Sequence, residues 1–365
     1  MATCAIWGEN RDVTLRLTVD PLHLDTPEAG RALDRAAEIL RAGGLVALPT
    51  ETVYGLGANA LDSAAVARIF AAKQRPGWDP VIVHVDTLER VRPLVTEISE
   101  PARRLAEAFW PGPLTLLLPR SAQVPDAVTA GRSLVGVRMP AHPVAWELIR
   151  RTGLPIAAPS ANLFSHISPT TAEHVLADLD GRIDAIVDAG PARHGVESTV
   201  LDPTQTPPLI YRPGAVSREE IQRVLGEVEF YRAPSDRPGA APQEKPPESL
   251  PSPGVGIRHY APRARLILLE GEFSALPRLL AAAAKAHPGL RVGVMRPEEL
   301  RLQELPEGAE CFNWGRWSQP ETLAHSLYAG LRQLDAAGCQ LILCPLPPSQ
   351  GIGAAIEDRL RKAAR

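Results

Sequence analysis

Residues 45–59 read Leu-Val-Ala-Leu-Pro-Thr-Glu-Thr-Val-Tyr-Gly-Leu-Gly-Ala-Asn. Leu45 to Leu48 make a short apolar run of the kind buried in a sheet, and the polar, glycine-bearing stretch from Pro49 to Asn59 reads as the loop that follows it. Loops at strand ends are where α/β folds present hydroxyls and backbone amides to ligands. A plain turn capped by Thr50 and Thr52 fits the same letters equally well.

Upstream, Thr26-Pro27-Glu28-Ala29 sets a cap and an N1 proline ahead of Leu33, Ala36, Ile39 and Leu40, which predicts a helix stopping at Gly43-Gly44. Downstream, buried runs predict strands at 81–83, 114–118, 154–157, 185–187 and 199–201. Helical periodicity fills 63–73, 100–110, 143–151 and 170–179 between them. Thr170-x-x-Glu173 and Ser217-x-x-Glu220 both fit a capping box. The mixture predicts an α/β fold with a mixed sheet over residues 15–228.

From Ala233 to Gly254 the chain carries seven prolines in 22 residues and almost no aliphatic side chains, so it reads as part of a linker, assigned to 229–258. Beyond it, strands at 266–269, 292–294 and 341–343 alternate with helices over 276–286, 320–337 and 354–364. That alternation predicts a small parallel, Rossmann-like α/β domain at 259–365.

The 365 residues hold 39 basic and 42 acidic side chains, a net charge of -3, which argues against a broad basic surface for long nucleic acid and makes any anion site local. Aromatic residues are only 5%, too few for base-stacking platforms. Cys4, Cys311, Cys339 and Cys344 form no CxxC pair, so neither zinc nor a disulfide framework is expected. Residues 1–12 do not resemble a signal peptide and no run is long enough to span a bilayer, so the reading is cytoplasmic with no membrane partner.

Several stretches have the residue types of a small-anion site. Lys73 lies on the apolar stripe of its helix with Val66, Ile69 and Phe70, and Arg75 follows two residues on, so two cations can converge on a polyphosphate. A snorkelling lysine at a helix end is the plainer reading. Ser160 and Asn162 follow a strand two apart, able to share a face but common in turns. Arg138 and Arg212 each end an apolar strand just before a proline or one residue from it, and Ser198-Thr199 offers a hydroxyl pair. His84 interrupts a buried strand, as a core histidine or a substrate contact. No P-loop, HExxH helix or Ser-His-Asp pattern is present.

In order, PTETVYGLGANA, KxRP with PVIVHV, FWPGPLTLLL, VGVRMPAHP, PIAAPSAN, SPTTAEHV, GVESTV and YRPGAVS resemble the YrdC-type threonylcarbamoyl-AMP synthases, and PSPGVGIRHYAP resembles the long form with an extra C-terminal domain. The resemblance spans roughly residues 20 to 365. It implies a twisted mixed sheet around a deep, positively charged cavity, and synthesis of threonylcarbamoyl-AMP from L-threonine, bicarbonate and ATP with release of pyrophosphate. It assigns Lys73, Arg75, Ser160 and Asn162 to the ATP phosphates and the reacting centre, and Thr129, Ser168 and Arg212 to ATP. Asp79 also falls on an ATP position, where similar enzymes commonly have asparagine. Thr50, His84, Arg138 and Ser198 fall on threonine positions. Mg²⁺ is expected to arrive with ATP, and hand-over to a tRNA threonylcarbamoyl transferase is the implied next step. Ser252-Pro253-Gly254 and Arg258-His259-Tyr260 are expected to close over the cavity. Alternatives are a carbamoyl-transfer enzyme of hydrogenase maturation, which would need cysteine pairs absent here, and a non-catalytic RNA-binding or nucleotide- or threonine-sensing module.

Overall fold

The computed structural model describes residues 13–231, 252, 259–302, 305 and 308–364. Eleven strands form the first sheet: β1 (Leu15–Thr18), β2 (Val46–Leu48), β3 (Gly55–Asn59), β4 (Ile82–His84), β5 (Leu114–Pro119), β6 (Leu134–Arg138), β7 (Ile156–Ala157), β8 (Ala185–Asp188), β9 (Thr199–Asp202), β10 (Leu209–Arg212) and β11 (Glu229–Phe230). Their order is β1-β8-β2-β3-β7-β4-β6-β5-β9-β10-β11, with parallel and antiparallel neighbours, as the mixed-sheet reading anticipates. The second sheet joins β12 (Arg265–Leu269), β13 (Val292–Pro297), β14 (Glu310–Gly315) and β15 (Leu341–Pro345) in the order β12-β15-β13-β14, parallel throughout.

Helix α1 (Pro27–Arg41) starts where Thr26 accepts a hydrogen bond from the Ala29 amide, and it buries Leu33, Ala36, Ile39 and Leu40 against the sheet and α5 (Pro143–Thr152). Helix α2 (Ser63–Lys73) is capped by Asp62 and ends at Gln74 in the left-handed region, a reversal that turns Arg75 back along the helix. The other helices of the first domain are α3 (Glu100–Phe109), α4 (Asp126–Thr129), α6 (Ala172–Leu179) and α7 (Arg218–Leu225); α8 (Leu276–Lys285), α9 (Pro320–Ala336) and α10 (Gly353–Ala363) belong to the second.

Three sequence expectations are corrected. Residues 55–59 are strand, not loop: β3 pairs antiparallel with both β2 and β7, and a side chain at Gly57 would stand 2.7 Å from Leu48, so glycine lets three strands close up there. The cap of α6 is Thr171 rather than Thr170, whereas the Ser217–Glu220 capping box of α7 is present as read. Glu229 and Phe230 pair with β10, so the first sheet runs past the assigned start of the linker. The proline-rich stretch itself, Arg258 and residues 1–12 lie outside the described residues, apart from Ser252, which is buried.

The two domains share a core. Val53, Ile167 and Val196 of the first domain pack with Tyr260, Leu327, Tyr328 and Ile356 of the second. Gly195 sits in the left-handed region with its α-carbon so near α9 that an added side chain would stand 2.5 Å from the carbonyl oxygens of Ala324 and His325. Bulk is forbidden at that junction, and the domains meet backbone to backbone.

Candidate active site

A cavity opens where the ends of β2, β4, β6, β9 and β10 converge. Thr50, Arg75, His84, Arg138, Ser160, Ser198 and Arg212 line it, together with Thr52, Glu197, His259 and Tyr260. It holds about 560 Å³ counted to its mouth, but only about 50 Å³ is open to the centre of a water molecule. The larger figure includes open solvent at the mouth, so the enclosed space is small.

Lys73 does not line this cavity. It is 1% exposed, and its Nζ donates to the carbonyl oxygens of Ser160 and Asn162 at 2.5 Å each. Burial, aided by Arg75, pushes it well below the ordinary lysine range. Lys73 therefore pins the loop that presents Ser160. Asn162 is pinned too, donating to the Leu163 and His166 carbonyls. Arg75 reaches the cavity while bonding the Asp79 and Pro80 carbonyls, and its Nη2 meets the Asp79 carboxylate at 2.9 Å. Asp79 is fully buried behind Arg75 and is not part of the lining. Thr129 and Ser168 also lie outside the lining; Thr129 accepts from Arg120, and Ser168 donates to Glu197 at 2.6 Å.

On the opposite wall the Thr50 hydroxyl donates to the Val53 carbonyl at 2.6 Å and accepts from the amides of Thr52 and Val53. Thr50 is thus both the turn cap and a cavity residue. Arg138 is nearly enclosed: Nη1 donates to the Thr52 hydroxyl at 2.9 Å, Nε to the Gly112 carbonyl at 3.2 Å, and Nη2 pairs with Glu51 at 2.7 Å. Burial pushes the Glu51 carboxyl up, but Arg138 outweighs it and holds Glu51 low. His84, on β4 beside Arg138, is pushed down to about 3 by burial and by Arg138, so it is neutral at physiological pH.

The roof comes from the other side of the linker. The His259 ring packs edge-on to Phe164 and Tyr260, and burial with Arg75 pushes it far below its ordinary range. Phe164 also meets Trp78 edge-on, so the bulky loop after Asn162 is the seat on which the roof rests. His259 and Tyr260 line the cavity.

Sequence reading passed over Glu197. Its carboxylate accepts from Ser168, from the Tyr328 hydroxyl at 2.9 and 3.1 Å, and from Arg359 Nε at 2.7 Å. Burial pushes it up, yet Arg359 and Arg212 win and hold it at about 2, below its unfolded value of 4.5. A depressed carboxylate stabilises the fold fully above the unfolded value and loses that contribution as pH falls toward the folded one. Replacing Glu197 with glutamine is therefore expected to flatten the loss of melting temperature across that acid window. An unchanged acid slope in thermal unfolding would contradict the assignment.

Among the described residues no His, Cys, Asp and Glu cluster could hold a metal. The cavity carboxylate Glu197, and Glu51 and Asp79 just behind the wall, are each already paired with arginine.

Fold and cavity together define a two-domain α/β protein whose cavity sets Arg75, Arg138 and Arg212 beside the hydroxyls of Thr50, Ser160 and Ser198. A family profile described as "Telomere recombination" matches residues 38–214, and one described as "Threonylcarbamoyl-AMP synthase, C-terminal domain" matches residues 216–365. The chain is 44% identical over 331 residues to a threonylcarbamoyl-AMP synthase of Pyrococcus abyssi, covering 90% of this chain and 93% of the relative. It is 44% identical over 350 residues to that of Bacillus subtilis, covering 94% and 95%. The crystal structure of P. abyssi Sua5 complexed with L-threonine superimposes with a TM-score of 0.83 at 41% identity, over 96% of this chain and 97% of that one. The chain belongs to the threonylcarbamoyl-AMP synthase family.

Proposed function

We propose that this protein is a threonylcarbamoyl-AMP synthase, joining L-threonine, bicarbonate and the AMP moiety of ATP with release of pyrophosphate. The observation that carries the reading is one cavity lined by Thr50, His84, Arg138 and Ser198 together with Arg75, Ser160 and Arg212. The threonine amine and bicarbonate form a carbamate with loss of water. A carbamate oxygen then attacks the α-phosphorus as the bond to pyrophosphate breaks. Three anions share the site, and positioned cations and donors supply the catalysis rather than a covalent nucleophile.

In this reading Arg138 and Ser198 hold threonine, with neutral His84 beside them. Arg75, Ser160 and Arg212 face the phosphates. Lys73, Asn162, Asp79, Thr129 and Ser168 act from behind the wall until the cavity widens. Widening is required, because pockets for ligands of nucleotide size occupy roughly 300–1,000 Å³. The roof at His259 and Tyr260 is the part that lifts. Mg²⁺ enters with the triphosphate, since the nearby carboxylates are committed to arginines. The product passes to a tRNA threonylcarbamoyl transferase, and the protein works in the cytoplasm; no described helix is long and apolar enough to cross a membrane.

The test is pyrophosphate release with ATP, threonine and bicarbonate, each omitted in turn. Release that needs all three, and a threonylcarbamoyl-AMP peak by mass spectrometry, is the expected result. Pyrophosphate release that ignores threonine would refute the reading.

A further inference from the structure

The chemistry above leaves Arg359 without a part. It belongs to α10, in the second domain, yet it is 1% exposed and its guanidinium reaches across the domain boundary. Nε binds Glu197 at 2.7 Å, Nη2 donates to the Pro213 carbonyl at 2.9 Å, Nη1 meets Asp358, and the group lies 5.0 Å over the Tyr260 ring. Burying an arginine this far costs heavily unless it is fully matched, and here the match is to a cavity-wall carboxylate of the other domain.

Among the described residues three arginines line the cavity, and they are not equivalent. Arg75 is paired with Asp79 and Arg138 with Glu51. Arg212 bonds the Ser198 carbonyl and hydroxyl at 3.0–3.2 Å and, among the described residues, has no carboxylate at ion-pair distance. Glu197, one residue before Ser198, lines the same cavity. Its carboxylate is drawn to the second domain by Arg359 and Tyr328 and held there by Ser168.

We infer that Arg359 is a positioning residue for the nucleotide: it holds Glu197 away from Arg212, and grips the backbone beside Arg212 at Pro213, so that Arg212 keeps its charge for an ATP phosphate. The inference rests on the synthase reading for the identity of the ligand. With Arg359 removed, Arg212, which already helps to hold Glu197 ionised, is left as the main cation facing that carboxylate.

Equilibrium ATP binding to the full-length protein tests this independently of turnover, so loss of pyrophosphate release alone cannot be mistaken for its failure. Arg359→Met is expected to weaken ATP binding about 10- to 100-fold, the range for one hydrogen bond to a charged group, and to shift threonine binding much less. Adding Glu197→Gln to Arg359→Met removes the competing anion and is expected to restore about tenfold or more of the loss. Arg359→Lys, which keeps the charge without the fork, should fall between. Should Arg359→Met fail to fold by thermal melting, the double variant carries the test: refolding with ATP binding near wild type supports the inference. Overturning results are a double variant as weak as Arg359→Met, a double variant that stays unfolded, or an Arg359→Met protein that binds ATP like wild type.

Discussion

Lys73→Ala is expected to lower pyrophosphate release at saturating substrates by at least about 100-fold, the scale for losing one preorganised donor near a developing charge. Two effects add. The Ser160 and Asn162 carbonyls lose their common donor, so the loop presenting Ser160 to the cavity drifts from the phosphate wall. In the proposed reaction, the ammonium that would turn to the triphosphate is also gone. Leaving two buried acceptors unpaired costs about 1–3 kcal/mol each, so the variant should also melt earlier. Lys73→Met removes the donor and the charge together while keeping most of the volume, so it excludes an empty cavity as the cause of the loss. A methionine variant that turns over at more than about a tenth of the wild-type rate would remove Lys73 from the chemistry.

Deleting residues 233–365 should be the other large loss. The cavity loses its roof, His259 and Tyr260, and the first domain exposes Val53, Ile167 and Val196 to water. Glu197 loses its partners Arg359 and Tyr328. Turnover at least about 100-fold down, with a melting temperature well below that of the whole protein, is the expected pair of results. Steady-state kinetics equal to full length would mean that the second domain has no part in the reaction.

What the letters disclosed follows a physical line. Helix α2 was legible from end to end, because Asp62 caps it and its apolar spacing stops at Lys73. The short internal strands were legible as apolar runs. Strands β1, β3 and β14 were not: the first is short and mostly exposed, the second is rich in glycine, and the third is an edge strand with alternating exposure. In the site, hydroxyls and arginines at strand ends could be picked out one by one and joined by resemblance to a family. Thr129 and Ser168 came with that resemblance, and the structure sets both behind the wall. Glu51 was quoted inside its motif without a role, since only the folded register brings it to Arg138. Glu197 and Arg359 lie 162 residues apart on different sheets' layers, and no periodicity links them.

That separation has a meaning in time as well as in space. A ribosome adding roughly 5–20 residues per second needs about 8–32 s to make the 162 residues between Glu197 and Arg359. The eleven-stranded sheet can close during that interval, but the cavity carboxylate must make do with local partners. The growing chain therefore holds the strands of its first sheet well before Glu197 meets its arginine, and translation of α10 sets the moment at which that cavity carboxylate is matched.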